Sequence, residues 1–310
     1  MNTTFVLDGG AGRVICAIPA LESYHKNNPD DDFKVLVTGW DPLFHHHPVL
    51  GSRTNSLEEP NSFEKYIYNN RCVSPEPYKL YEYYHNKCSM AQAFDILING
   101  SLTCASYKPN LYVNYQEDKL ALHINDDLSL KTGKEKIVVI QPFGSTSTII
   151  NKSIVDHSGR GISDNVFNQI VDKLTPEATV IYFGPPELWK HTNRKTHHIF
   201  KHNPTMRDYM AMIANCDYFV GCDSVGQHMA RAFNKPSMVL MGGTFESNVS
   251  YPDCNSFKLY RKPDTMPTYN PMRFSPQDNE LADNNNRTLI DFNRHEINEI
   301  VTSILDDIHG

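Results

Sequence analysis

Asp223, Ser224, Gly226, Gln227 and His228 fall within six residues, directly after the apolar run Tyr218-Phe-Val-Gly-Cys222 and before the run Ser237-Met-Val-Leu-Met241. The pattern predicts a buried strand, a sharp turn and a helix whose first turn carries the polar residues. Such a corner presents unpaired backbone N–H groups and the positive end of a helix dipole, which suits a phosphate. In an open α/β sheet the same corner lies at the carboxyl ends of the strands, where ligands bind. A phosphate-bearing ligand is therefore expected here. An ordinary strand-turn-helix corner with a capping Asp is the plain alternative.

A second group opens the chain. Thr4-Phe-Val-Leu7 reads as a strand, followed by the glycine loop Asp8-Gly-Gly-Ala-Gly12 and then Arg13. Asp8, at the end of the strand, is placed to take a proton from a hydroxyl, or simply to hydrogen-bond the loop. Arg13 stays charged at any working pH, so it cannot be a base. It suits a phosphate or an acidic acceptor group, or stands as a surface residue on the first helical turn. His45-His-His47 sits in a loop where His46 is an acceptor-side candidate. Three consecutive histidines cannot all face one metal in either an extended or a helical segment, so no metal is expected there. Asp156-His157 and His197-His198 read as surface residues.

These groups need a frame, and hydrophobic periodicity supplies two α/β halves. In the first, a helix through Val14, Ile15, Ile18 and Leu21 precedes the strand Lys34–Thr38. Residues 40–77 read as a loop over the acceptor side, a helix follows near Asn86–Ile98, and 111–114 and 120–123 look extended. The polar stretch Asp126–Lys136, with Gly133, is the expected linker. In the second half come the strand Ile137–Ile140, a helix capped by Ser163, the strand Thr179–Phe183 closed by Gly184, the helix Met206–Ala214 and the strand Tyr218–Gly221. Ile297, Ile300, Val301, Ile304, Leu305 and Ile308 form one stripe of a terminal helix. Domains are expected at 1–132 and 133–310.

The Asp223 corner closely resembles the donor motif of the heptosyltransferase-like glycosyltransferases, in which an Asp-Ser/Thr pair, a Gly and a downstream His surround a nucleotide-sugar. Gly226 stands three residues after Asp223, where many members have the Gly at two. Asp8-Gly-Gly-Ala-Gly-Arg-Val with Ile18-Pro-Ala-Leu21 resembles the family's opening loop and helix. Gln141-Pro-Phe-Gly-Ser145 followed by Ser158-Gly-Arg160 resembles its Gln-Pro strand end and the basic residue after it. The resemblance implies the GT-B fold: two Rossmann-like domains with a cleft between them, and a terminal helix, 294–308, that packs back on the first domain. It implies a donor site at Ser145, Arg160, Gly184, Asp223, Ser224, Gly226, Gln227 and His228; Lys152 lies in the same loop as Arg160 and reads as a solvated loop charge. It also implies an acceptor side at Gly10 and Gly12 of the opening loop, to which His46 is added from its own place in the loop at 40–77. The family's catalytic Asp after the last glycine is replaced here by Arg13. Asp8 is therefore the preferred base, with Arg13 as a positioning cation.

Composition bounds the rest. At 310 residues the chain suits two domains, and its 40% hydrophobic and 21% charged content is that of an ordinary globular protein. Net charge is −7, divided as −4 over residues 1–136 and −3 over 137–310. Neither half is a basic domain, which weighs against nucleic acid without excluding a local patch. No apolar run is long enough to span a bilayer, and the amino terminus lacks signal-peptide features. Seven cysteines without a C-x-x-C pair point to neither disulfides nor a zinc cluster, and hence to a reducing cytoplasm.

The expected activity is metal-independent transfer of a sugar from a UDP- or ADP-sugar to an acceptor hydroxyl, with no cofactor beyond this co-substrate. No Asp-x-Asp at a predicted strand end offers a metal-bound nucleotide. The acceptor is open. The composition, rich in Asn, Tyr and Lys, resembles phage-encoded proteins of this fold, some of which glycosylate hydroxymethylcytosine in their DNA, including with arabinose. That reading makes modified DNA the acceptor partner and the host cytoplasm the location. A Tyr-, His- and Asn-rich segment at 40–86 suits stacking on a flipped base. The alternatives are a glycan or lipopolysaccharide acceptor, a sugar-nucleotide epimerase, and an inactive nucleotide-sugar binder.

Overall fold

The structure is a computed structural model. It describes residues 2–144, 147–151, 153–156, 159–198, 204–249, 251, 253–262 and 290–310. The chain divides into two compact units, Met1–Asn114 and Tyr115–Gly310.

The first unit is built on a four-stranded parallel sheet, β1 (Thr3–Leu7), β2 (Lys34–Val37), β3 (Thr54–Ser56) and β4 (Arg71–Val73), in the order β3-β2-β1-β4. The core strands are apolar because helices cover them. Helix α1 (Ala11–Asn27) buries Val14, Ile15, Ile18 and Leu21. Short helix α2 (Tyr81–Tyr84) precedes α3 (Met90–Asn99), which packs along α1 and is closed by a Ser89–Gln92 capping box and by Gly100 in the left-handed conformation. Phe5, Tyr24 and Phe33 form a triangle of edge-to-face rings with centroids 4.8–5.8 Å apart. The fully buried Asp95 ties the segment after α3 to that helix. Its carboxylate accepts from Asn99 Nδ2, the Thr103 and Cys104 amides, Thr103 Oγ1 and Tyr107 Oη at 2.6–2.9 Å.

The second unit begins with α4 (Tyr115–Thr132) and carries the five-stranded parallel sheet β11-β10-β9-β5-β8. Its strands are β5 (Ile137–Gln141), β8 (Thr179–Tyr182), β9 (Tyr218–Cys222), β10 (Ser237–Met241) and β11 (Phe257–Arg261). An antiparallel hairpin, β6 (Ser147–Ile150) and β7 (Ser153–Asp156), stands outside that sheet. Helices α5 (Asp164–Leu174), α6 (Pro186–Trp189), α7 (Met206–Ala214), α8 (Val225–Ala232), α9 (Glu246–Val249) and α10 (Arg294–His309) complete it. Ser163 Oγ caps α5 by accepting from the Val166 amide at 3.3 Å, as its sequence signature predicts.

Several expectations change. Residues 120–123 lie inside α4 rather than in a strand, and residues 111–114 form no strand. The alternation of Leu120 and Leu122 is misleading, because both stay largely exposed while Ala121, Asn125 and Leu128 face inward. The expected linker 126–136 is helical to Thr132. The boundary accordingly falls at 114/115 instead of 132/133, since α4 packs on α7 and Arg207 holds Glu117. The expected loop 40–77 contains β3 (Thr-Asn-Ser) and β4 (Arg-Cys-Val), three-residue strands too short to show an apolar alternation. Helix α10 packs its apolar stripe against α5 and β10 in the core of the second unit.

Candidate functional site

In the second sheet the chain runs from β5 to β8 on one side, then crosses to β9 on the other. The order reverses between β5 and β9, and such a switch point opens a crevice at the carboxyl ends of the strands. Gln141 ends β5 and Asp223-Ser224 follow β9, so both sequence motifs meet at this point. The Gln141 amide bridges the gap. Its Nε2 donates to Ser224 Oγ at 3.2 Å, and its Oε1 accepts from the Gly226 amide at 2.9 Å. Ser224 is the N-cap of α8, but its hydroxyl makes no cap bond. Gly226 permits this close approach, because a Cβ there would lie 2.5 Å from Phe219 Cζ and against the Gln141 amide oxygen.

Behind this edge, Gln227 donates its side-chain amide to Asp223 Oδ1, and both residues are buried. His228 lies one turn into α8, 7% exposed, with Nδ1 2.6 Å from the Tyr251 hydroxyl. Burial pushes the His228 imidazole down to about 4, with Asp223 opposing and the Arg160 cation adding to the shift. The ring is therefore neutral at pH 7. Tyr251 is clasped in turn by Arg231, whose guanidinium lies 5.8 Å from the ring centroid and pairs with Asp253 at 3.0 Å.

Gly184 lies beyond β8, on the other side of β5. Its φ of +156° and the Tyr182 hydroxyl, 2.5 Å from a would-be Cβ, leave no room for a side chain. Its carbonyl accepts from Tyr209 Oη at 2.6 Å, which makes it a fixed turn. The structure thus brings Asp223, Ser224, Gly226, Gln227 and His228 together, with the Arg160 charge acting on His228. Ser145, Lys152 and Ser158 lie outside the described residues.

The first unit has its own switch point, between β1 and β4, and Arg13 fills it. The guanidinium Nη2 lies 3.0 Å from Asp8 Oδ1 and 3.3 Å from Glu76 Oε2, and donates to the Pro75 carbonyl at 3.1 Å. The rings of Tyr78 and Phe94 lie 5.3 and 5.9 Å away, and the side chain is only 10% exposed. Arg13 is thus a strut joining the β1 and β4 ends. Gly9, at φ +89°, lets the loop fold over that strut, 3.1 Å from Arg13 Cδ at the Cβ position. Gly10 is the N-cap of α1 and Gly12 lies in its first turn. Asp8 keeps its side chain 61% exposed. Trp40, after β2, donates its indole N–H to the Gly9 carbonyl at 2.8 Å.

The three histidines separate, as their spacing requires. His45 and His46 are exposed, with His46 at φ +65° and its Nε2 3.2 Å from Asn114 Nδ2. His47 is buried, accepts from the Val49 and Leu50 amides through Nδ1, and points Nε2 at Glu22, 3.1 Å away. Among the described residues no group of three or more His, Cys, Asp or Glu is placed to hold a metal ion. None of their helices is long and apolar enough to cross a membrane.

No protein family matches the sequence, and no curated protein is similar to it. Solved structures are. A glycosyl transferase of family 9 from Veillonella parvula aligns with a TM-score of 0.67 over 99% of this chain and 97% of that one, at 10% identity. The chain has the GT-B fold. The E. coli ADP-heptose lipopolysaccharide heptosyltransferase II aligns at 0.58 over 98% and 100%, with 13% identity. TibC of enterotoxigenic E. coli, an iron-containing dodecameric glycosyltransferase, aligns at 0.60 over 99% and 76%, with 10% identity.

Sequence reading missed Tyr251 and Trp40. Tyr251 lies 23 residues beyond His228 in an irregular segment, and no local pattern links the two. Trp40 carried one available signal, a large amphipathic ring directly after a glycine at the end of a parallel strand.

Proposed function

We propose that this protein is a glycosyltransferase that takes its sugar from a nucleotide-sugar held at the Asp223–His228 corner. The observation that carries the reading is the Gln141 bridge, which fixes the start of α8 at the switch point of the second sheet. The likeness to glycosyltransferase structures, one of them an E. coli heptosyltransferase with ADP, supports the same reading.

The leaving nucleoside diphosphate gains negative charge as the glycosidic bond breaks. The amino end of α8 offers roughly 0.3–1 kcal/mol to such a charge at an exposed site. A neutral His228 adds an N–H donor without a desolvated charge, and Arg160 supplies the cation that a single helix end does not. On the first unit, Asp8 takes the proton of the attacking hydroxyl while Arg13 holds one carboxylate oxygen and so sets the direction of the other. With these groups the transfer runs without a metal on a UDP- or ADP-sugar.

A panel of UDP-, ADP- and GDP-sugars tests the reading, first by thermal shift and then by transfer of label to a glycan and to hydroxymethylated DNA. Transfer to either acceptor supports a transferase. Conversion of the sugar without an acceptor indicates an epimerase, and a shift without turnover indicates a binder. Activity lost in EDTA and restored by a divalent ion would overturn metal independence.

A further inference from the structure

The carboxyl ends of β1 and β2 lie side by side, in register from Thr4 opposite Lys34 to Leu7 opposite Val37. Gly39, at φ +73°, then turns the chain so that Trp40 reaches across to the glycine loop. Its indole N–H is bound to the Gly9 carbonyl, which fixes one edge of the ring at the loop residue that follows Asp8, while the residue stays part-exposed. An aromatic ring with its polar atom already satisfied has only its faces left for a ligand.

The charge around this ring is acidic. Asp8 is 61% exposed, and Asp41 follows Trp40 directly, its carboxylate 4.0 Å from His45. Arg13, the cation of the loop, is already engaged by Asp8, Glu76 and the Pro75 carbonyl and is 10% exposed. A phosphate-rich acceptor approaching Asp8 would meet carboxylates and a neutralised guanidinium. A neutral sugar would instead meet acceptors for its hydroxyls and an apolar face for its C–H edge.

Resting on the reading that the acceptor hydroxyl enters at Asp8, we propose that Trp40 is the acceptor platform, and that it stacks an uncharged pyranose ring rather than a nucleic acid or a phosphorylated sugar. The acceptor ring lies on a face of the part-exposed indole, with its reacting hydroxyl toward the Asp8 carboxylate.

The chain has two tryptophans, and Trp189 lies in the second unit with its N–H on Thr196. Trp189→Phe therefore leaves Trp40 as the one indole reporter. Its fluorescence is titrated with a panel of neutral methyl pyranosides, with glucose 6-phosphate and with a hydroxymethylated DNA duplex. A saturable change with a neutral pyranoside is expected. Response to the phosphorylated sugar or the DNA alone, or to none of the probes at millimolar concentration, overturns the proposal. In transfer assays Trp40→Ala should raise the acceptor KM roughly tenfold and leave the donor KM unchanged. Trp40→Phe, which keeps a ring, should recover most of that loss and covers the case in which the alanine variant unfolds. An unaltered acceptor KM in both variants also overturns it. Donor binding is followed separately by thermal shift, so a failure of the glycosyltransferase reading leaves the fluorescence result to be judged alone.

Discussion

The imidazole Nδ1 of His228 and the hydroxyl of Tyr251 meet at 2.6 Å inside the second unit, with the two rings edge to face at 81°. This contact sets the orientation of the one titratable side chain in the first turn of α8. Tyr251→Phe should raise the donor KM several-fold with a smaller change in kcat, because it frees the ring to turn without removing it. Steady-state kinetics over donor concentration check this, and an unchanged donor KM refutes it.

His228 also makes the second unit acid-sensitive. Its folded value of about 4 lies below the ordinary 6.5, so the unfolded chain binds the proton more tightly. The stability it contributes is present above about pH 6.5 and is lost as pH falls toward 4, at most on the order of 3 kcal/mol. Denaturant melts at pH 7 and pH 4.5 should differ less for His228→Asn than for the parent.

Asp95 acts in a lower window. Burial raises its carboxyl, but bonds from the Cys104 and Thr103 amides, the Thr103 hydroxyl and Asn99 outweigh that and hold it below the usual carboxylate range. Its contribution is complete above about pH 4 and is lost as pH falls through the lowered folded value. Asp95→Ala removes an acceptor from five bonds and should cost roughly 3 kcal/mol at pH 7 by urea denaturation.

Gly226→Ala places a methyl against Phe219 and the Gln141 amide. It should cost about 1–3 kcal/mol in stability and displace the Gln141 bridge. Donor affinity then falls at least as much as in Gln141→Ala, and equal affinity in both variants and the parent would remove the bridge from the site.

Arg13→Ala should destabilise the first unit by about 2 kcal/mol, since it leaves Glu76 and the Pro75 carbonyl without their cation. Arg13→Lys should recover only part, because one ammonium cannot span both strand ends. Urea melts of the two variants decide between this strut and a surface arginine, whose removal would leave stability unchanged.

Legibility in the sequence followed the range of the interactions. The β5, β8, β9 and β10 strands and helices α1, α5, α7 and α10 were readable because burial imposes a period on neighbouring residues. The Asp223 corner was readable because five of its residues are consecutive or nearly so. The role of Arg13 was not, since its partners Pro75 and Glu76 lie more than 60 residues away and are brought near only by the pairing of β4 with β1. Helix α4 misled because its outward face carries Leu120, Leu122 and Leu130, 45–84% exposed, which blurs the contrast between its sides.

The packing of α4 on α7 bears on how the chain can be dissected. A cut at the polar stretch around Gly133 would strip Glu117 from Arg207 and Asp118 from Asn215, and uncover the side of α7 that Ala121 and Asn125 line. A cut between Asn114 and Tyr115 leaves those bonds within one fragment. Expression of 115–310 is thus the natural route to an isolated second unit for calorimetry or spectroscopy with nucleotide-sugars, and the first 114 residues are its complement.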